Sequence, residues 1–325
     1  MKTKLKIGLI VLLAIIIILA TGFDKIIGNF IATTPKETGP PPEVYFCPED
    51  DCEEQLVNLI KNAENSVYCA FYDLDLDGVI NELKGKNVDV RLVIDESNAE
   101  GAKGLNYVDN ENARGLMHNK FCVFDDKIIS TGSFNPTEKG NSYNNNNLII
   151  ISSKYLAENY ENEFNELWNK KFGSGEKVKY PVILFNDKKI ENYFCPEDSC
   201  SEHVIDNLAE AKNEIYFMTF SFTHDKIGRV LVDKHNEGLK IKGIFEKFGR
   251  SEYSEYYTLE ENGVDVRWDE YSYFVHHKVF IIDNRTVITG SFNPTKSADE
   301  KNDENLLIIH DEKIAREYLE EFEKI

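Results

Sequence analysis

Positive charge is what this 325-residue chain is shortest of: 37 Lys and Arg stand against 57 Asp and Glu, for a formal net charge of −20. The charges in residues 1–23 are Lys2, Lys4 and Lys6, so the remainder is more negative than the whole by three. A protein that grips nucleic acid through its phosphates needs the opposite sign over a broad surface. Tight nucleic-acid binding is therefore disfavoured, and the acidic balance is read as a solubility feature. Charge is missing entirely from "IGLIVLLAIIIILATGF" at residues 7–23, just behind the three lysines. That segment is expected to be a signal peptide or, given its unbroken Ile/Leu/Val run, an uncleaved membrane anchor. The lysines would stay in the cytoplasm and the rest outside it, on a single-pass tether at the cell membrane or secreted after cleavage. "ATTPKETGPPPE" at 32–43 then reads as a semi-rigid spacer.

Cysteine is scarce, six in all. Cys47/Cys52 and Cys195/Cys200 sit in the matching loops "FCPEDDC" and "FCPEDSC". In an exported chain each pair is read as a local disulfide, with a shared zinc site or free thiols as the alternatives. Cys69 and Cys122 lie in apolar strand patterns, in line with Phe217 and Phe280, and are expected to be small core residues. "DLDLDG" at 73–78 opens like a calcium loop but lacks the closing acid, since its twelfth position is Lys84.

What the chain does contain is a repeated polar motif. "HNKFCVFDDKIISTGSFNPT" begins at His118 and "HHKVFIIDNRTVITGSFNPT" at His276, 158 positions later. His118 and His276, Lys120 and Lys278, Asp125 and Asp283, Ser133 and Ser291, and Asn135 and Asn293 coincide without a gap. Each copy predicts two strands split by a turn dipeptide, Asp125-Asp126 or Asp283-Asn284. A His and a Lys two apart share one face of a strand, and the Gly-Ser-x-Asn end can return polar groups to that face, so the cluster suits an anion. "AENSVYCAFYDLD" is answered by "AKNEIYFMTFSFT", and "NNLIIISSKYLAENYENEFNELW" by "ENLLIIHDEKIAREYLEEFEKI". The units are whole subdomains, far longer than solenoid repeats. Residues 44–172 and 188–325 are expected to be two lobes, with linkers at 24–43 and 173–187.

Two copies have a chemical reason. Covalent cleavage of a phosphodiester wants one imidazole to attack phosphorus and a second to protonate the leaving oxygen. Two units packed about a pseudo-twofold axis would bring both histidines to one phosphate, with Lys120, Lys278, Ser133, Ser291, Asn135 and Asn293 around its oxygens. No metal or cofactor is needed.

Residue for residue, the pattern H-x-K-x4-D-x6-G-S-x-N resembles the phospholipase D superfamily, and His118 to Asn135 and His276 to Asn293 each match it in full. The compact units look most similar to its bacterial nuclease and mitochondrial cardiolipin hydrolase branch. The resemblance implies two α/β sandwich lobes with one shared active site, a phosphohistidine intermediate, and hydrolysis or transfer of a phosphodiester. It also implies that Asp125 and Asp283 support the scaffold. His277 is expected on the opposite strand face, in a structural role. The superfamily pattern places an acid eleven positions after the motif Asn to hold an imidazole; the second copy has Glu304 there and the first has Asn146, followed by Asn147. Glu304 is expected to bond His276, and Asn146 or Asn147 to bond His118, making His276 the acid and His118 the nucleophile.

The expected activity is a metal-independent phosphodiesterase on phospholipid, working as a monomer. The alternatives are an exported endonuclease and a noncatalytic phosphate-binding surface protein.

Overall fold

The computed structural model describes residues 34–325, and Lys36–Ile325 form one compact unit. The apolar segment at 7–23 lies outside the described residues; among those described, no helix is long and apolar enough to cross a membrane.

A short strand, β1 (Lys36–Glu37), precedes the first lobe. That lobe holds β2 (Glu43–Cys47), β3 (Ser66–Phe71), β4 (Asp89–Ile94), β5 (Tyr107–Asp109), β6 (Lys120–Phe124), β7 (Ile128–Gly132) and β8 (Asn146–Ser152). The second contains β9 (Val182–Phe185), β10 (Lys188–Cys195), β11 (Glu214–Thr219), β12 (Lys240–Phe245), β13 (Asp265–Trp268), β14 (Lys278–Ile282), β15 (Thr286–Gly290) and β16 (Glu304–His310). The first sheet is ordered β2-β8-β7-β6-β3-β4-β5 and the second β1-β9-β10-β16-β15-β14-β11-β12-β13. From β10 onward the second order repeats the first strand for strand, so the duplicated sequence is a duplicated topology. β1 and β9 pair with each other at the edge of the second sheet, and both fall in segments expected to be linkers. Those segments therefore add strands to lobe 2.

Each sheet is covered on both faces, which is why its central strands are apolar without alternation. Helices α1 (Cys52–Asn62), α2 (Asp77–Gly85) and α3 (Glu138–Ser142) belong to lobe 1, as does α4 (Lys154–Trp168). Lobe 2 has α5 (Cys200–Ala209), α6 (Asp225–Asn236), α7 (Glu255–Glu261), α8 (Lys296–Glu300) and α9 (Glu312–Lys324). On α4 the buried Leu156, Tyr160, Phe164 and Leu167 recur at helical spacing. They enter a core that also takes Phe121 and Ile149 from lobe 1 and Ile281, Leu307 and Tyr318 from lobe 2. This shared apolar layer joins the lobes, while each keeps a further core of its own.

Both motif hairpins turn on residues of positive φ, Asp125 and Asp126 at 53° and 54°, Asp283 and Asn284 at 51° and 57°, as a two-residue hairpin of this twist requires. The Asp125 carboxylate accepts from the backbone N–H groups of Glu64, Asn65 and Ser66 at 2.6–3.1 Å. Asp283 accepts from Lys212, Asn213 and Glu214 at 2.7–3.0 Å. Partial burial raises both carboxyls, but the N–H donors outweigh it and hold each below the usual carboxylate range.

Cys47–Cys52 and Cys195–Cys200 are disulfides. The expectation for Cys69 and Cys122 needs correction, because they are bonded to each other. They stand opposite in the antiparallel register of β3 and β6, a juxtaposition that only folding creates. In lobe 2 the equivalent Phe217 and Phe280 also face each other, ring centroids 5.8 Å apart.

Candidate functional site

β6 and β14 begin at the motif lysines, so each motif histidine stands just before the strand that its own lobe hydrogen-bonds. Each is tied instead to the other lobe. The His118 N–H donates to the Asp303 carbonyl at 3.0 Å, and the His276 N–H to the Asn145 carbonyl at 2.9 Å. Two acids hold the preceding residues. Asp95, at the end of β4, accepts from the Met117 N–H at 2.9 Å, and Glu246, at the end of β12, from the Val275 N–H at 2.5 Å. Neither acid was singled out from the sequence, although each directly follows a repeated strand, in "VIDES" and "IFEKF".

The imidazole partners are exchanged between the lobes. His118 Nδ1 lies 2.8 Å from Glu304 Oε2, and His276 Nδ1 lies 2.8 Å from Asn146 Oδ1 and 3.1 Å from the Ser133 carbonyl. This reverses the expected pairing of Glu304 with His276 and of Asn146 or Asn147 with His118. β16 and β8 each begin next to the opposite lobe's histidine, so adjacency within one copy misleads. All these partners accept, so each ring donates from Nδ1 and turns Nε2 outward. The amide is oriented independently: Asn146 Nδ2 donates to the Gly140 carbonyl at 3.0 Å.

Ser133 and Ser291 also need correction as phosphate ligands. Ser291 Oγ donates to Glu304 Oε2 at 2.6 Å and accepts from the Asn305 N–H at 3.0 Å. Ser133 Oγ donates to Asn146 Oδ1 at 3.2 Å and accepts from the Asn147 N–H at 3.0 Å. Both hydroxyls are fully buried and spent on positioning the histidine partners. The preceding glycines make this possible. At Gly132 and Gly290, φ is 137° and 132°, and an added Cβ would lie 2.3 Å from the Asn147 or Asn305 carbonyl oxygen.

Asn147 and Asn305 form a further exchange beneath the site. Asn147 Oδ1 accepts from Thr289 and Tyr318 of lobe 2 at 2.9 and 3.1 Å, and its Nδ2 meets His277 Nδ1 at 3.1 Å. Asn305 Oδ1 accepts from Thr131 and Tyr160 of lobe 1 at 2.7 and 3.3 Å, and its Nδ2 donates to Asn119 at 2.9 Å. His277 is thus wholly buried in a structural network.

Lys120 Nζ donates to the His118 carbonyl at 2.5 Å and Lys278 Nζ to the His276 carbonyl at 2.7 Å. Tyr72 and Phe220 wall the two halves: their rings lie 4.9 and 4.7 Å from the His118 and His276 rings and 5.1 and 5.0 Å from the lysine Nζ atoms. Asn135 and Asn293 are half-buried, and the Oδ1 of each has no donor among the described residues. Burial lowers Lys120 to about 7 against the pull of Glu304, Asp95 and Asp73. Burial and Lys120 drive Lys278 well below its usual range. Burial also lowers His118, with Glu304 opposing and both lysines assisting. His276 is pushed well down by burial, Lys278, Lys120 and His118, against the hydrogen bond to the Ser133 carbonyl. Two lysines and two imidazoles deprived of water form a site short of negative charge, which an anionic phosphate would supply.

The family described as cardiolipin synthase, PLD-like domain, matches residues 56–168 and again 204–325. Phospholipase D of Rickettsia typhi is 30% identical over 142 residues, 43% of this chain and 70% of that protein. Human mitochondrial cardiolipin hydrolase is 32% identical over 129 residues, 39% of this chain and 51% of the relative. The crystal structure of phosphatidylserine synthase from Haemophilus influenzae shares the fold with a TM-score of 0.66 at 16% identity, covering 86% of this chain and 85% of that one.

Proposed function

Since the chain belongs to the PLD-like family of phosphodiesterases, with two copies of the domain in one polypeptide, we propose that it cleaves or transfers a phosphodiester at the site between its lobes, with a phospholipid as substrate. The observation that carries the mechanism is the crossed pair of dyads. Each Nδ1–H is engaged by the opposite lobe, which leaves two Nε2 atoms and two lysines for one phosphate.

In the first step His118 Nε2 attacks phosphorus, an N–P bond forms, and the P–O bond to the leaving alcohol breaks. Positive charge builds on the His118 ring, and the Glu304 carboxylate at Nδ1 stabilises it. His276 Nε2–H gives its proton to the departing oxygen. In the second step His276 takes a proton from water or an acceptor alcohol, whose oxygen attacks phosphorus and releases His118. The exchanged partners alter the reasoning behind these roles. Ground-state charge alone would now favour His118 as the acid, but stabilisation of the charged phosphohistidine favours it as the nucleophile. His276 gains its proton when a phosphate anion enters and offsets the lysines that depress it. Lys120, Lys278, Asn135 and Asn293 surround the phosphate in this reading.

The lipid preference rests on an aromatic path. Phe220 packs on His276, Phe274 on Phe220 at 5.5 Å, and Phe248 on Phe274 at 5.6 Å, with Phe248 62% exposed. It leads from the site to the surface of a strongly acidic chain, a combination that favours acyl chains over a polyanion. The decisive experiment offers labelled phospholipid vesicles, single-stranded DNA and duplex DNA in parallel, with acid-labile, base-stable label on His118 sought by peptide mapping. Turnover of DNA without lipid turnover would overturn the substrate, and label on His276 would overturn the roles.

A further inference from the structure

The segments that lead into the two motif histidines are held alike. Asn144 Oδ1 accepts from the Phe274 N–H and Asn302 Oδ1 from the Leu116 N–H, both at 3.2 Å, and the bridges that follow pair Asn145 with Val275 and Met117 with Asp303. The side chains on this common frame are not alike. Where lobe 2 has Tyr273 and Phe274, lobe 1 has Gly115 and Leu116, and where lobe 1 has Tyr143, lobe 2 has Lys301, each 158 positions apart. Counted from Glu246 and Asp95, Phe248 answers to Ser97. The frame therefore stands without aromatic rings at these positions on the His118 side, and carries them on the His276 side.

These rings touch one another and stand open to solvent. Tyr143 of lobe 1 lies 4.7 Å from Tyr273 of lobe 2 between centroids, and Phe248 lies against Phe274, which reaches the His276 ring through Phe220. Exposure is 37% at Tyr143, 46% at Tyr273 and 36% at Phe274. An apolar patch of this kind, beside a site and not required by the fold, marks a binding surface. Charge narrows what that surface meets. Segments 247–253 and 270–274 hold Lys247, Arg250, Glu252 and Glu270 and are neutral in sum, in a chain of net charge −20. The acidic remainder disfavours a polyanion, and a neutral rim suits a surface without net charge. Tyrosine, with an apolar body and a polar tip, suits the boundary between lipid headgroups and acyl chains.

We propose that Tyr143, Tyr273, Phe274 and Phe248 form a docking rim that sets the site against a bilayer of zwitterionic phospholipid, with Phe220 continuing from the rim to His276. The proposal rests on the phospholipid reading of the site and adds the surface by which the enzyme holds the bilayer. Rim and aromatic path are continuous, so a lipid passes from the leaflet to the phosphate site with its acyl chains kept from water.

Tyr273→Trp in the full chain places a reporter on the rim, and vesicles of phosphatidylcholine brominated along the acyl chains quench a tryptophan that enters them. Quenching should exceed that of the unsubstituted chain, whose Trp168 and Trp268 give the background. Y143S/Y273S, at two exposed positions, should raise KM for vesicle lipid at least about tenfold and leave kcat/KM on the soluble diester bis-p-nitrophenyl phosphate within about twofold. Because every variant keeps residues 7–23, differences among them report on the rim. Absence of excess quenching would overturn the proposal, as would an unchanged KM for vesicle lipid or an equal loss on both substrates. So would a dimer in sedimentation that Y143S/Y273S splits, since a second copy would then cover the rings. The two readings fail separately: lipid turnover without excess quenching denies the rim alone, whereas quenching in an enzyme that cleaves only DNA denies the phospholipid substrate and leaves the rim standing.

Discussion

The two lobes share a strand order and a motif, yet they differ wherever a charge must be held or a core closed. Lobe 1 pairs Cys69 with Cys122 where lobe 2 sets Phe217 against Phe280. Lobe 1 offers Asn146 to the neighbouring imidazole where lobe 2 offers Glu304. Lobe 1 gathers acids around Glu163 where lobe 2 sets bases around Glu321. The backbone and the hydrogen-bonded frame are symmetric; the electrostatics are not. In the proposed mechanism, equivalent folds with unequal charges let two identical side chains take the unequal parts of nucleophile and acid.

The sharpest way to break the symmetry is to remove one imidazole at a time. On a substrate with a good leaving group, His118→Ala should lose the first-step burst entirely, with steady-state turnover down roughly 10⁴-fold or more. His276→Ala should keep the burst and accumulate phosphoenzyme, because little acid assistance is then needed. Rapid-quench measurement of released alcohol separates the two, and matching bursts would deny the division of roles.

Next in size is the core difference. The Cys69–Cys122 bond closes a separation of 53 residues and Cys47–Cys52 one of 5. Chain entropy predicts losses of about 4 and about 2 kcal/mol on replacing each pair by alanine. The first is roughly a thousandfold in the unfolding equilibrium. Denaturant midpoints under nonreducing conditions would show the order, and equal losses would mean that lobe 1's core closes without its bond.

Making the lobes alike tests the site more gently. Glu304→Gln should leave the fold intact and lower the rate of phosphoenzyme formation about a hundredfold, since an amide cannot offset the charge growing on His118. Asn146→Asp should change turnover least, by less than about tenfold, while raising the pH at which His276 loses its proton. The pH profile gives the sign. His118 must be neutral to attack and sits below its usual range, so the acid limb of kcat/KM should fall below about 6.5. Lys120 loses its charge through about 7, so the alkaline limb should decline from there. A rate on a soluble diester that keeps rising above about pH 8 would contradict the role given to Lys120.

Much of this was legible in the chain. The repeat at constant offset picked out the two His-x-Lys pairs that the structure sets side by side, because their spacing is dictated by one strand. The scaffold role of Asp125 and Asp283 came from the resemblance to the superfamily, and their carboxylates do anchor backbone N–H groups. What could not be read was which lobe each partner serves. Glu304 follows Asn293 by eleven positions, but β16 delivers it across the interface to His118. Ser133 and Ser291 looked like phosphate ligands for the same reason, since a hydroxyl near a strand end shows no sign in sequence of being used up by a buried neighbour. Cys69 and Cys122 meet only through the register of β3 with β6. Asp95 and Glu246 act through backbone N–H groups, which leave no mark in composition.

The crossed dyads also constrain how such a chain can change over generations. Each half carries the histidine of one dyad and the partner of the other, so a substitution at residue 146 or 304 is felt as altered chemistry in the half that did not mutate. Two copies of the first half would set both imidazoles on amides, and two copies of the second would set both on carboxylates; only the mixed arrangement yields one of each. After such a duplication neither half can drift freely as a spare. Each is the selective environment of the other.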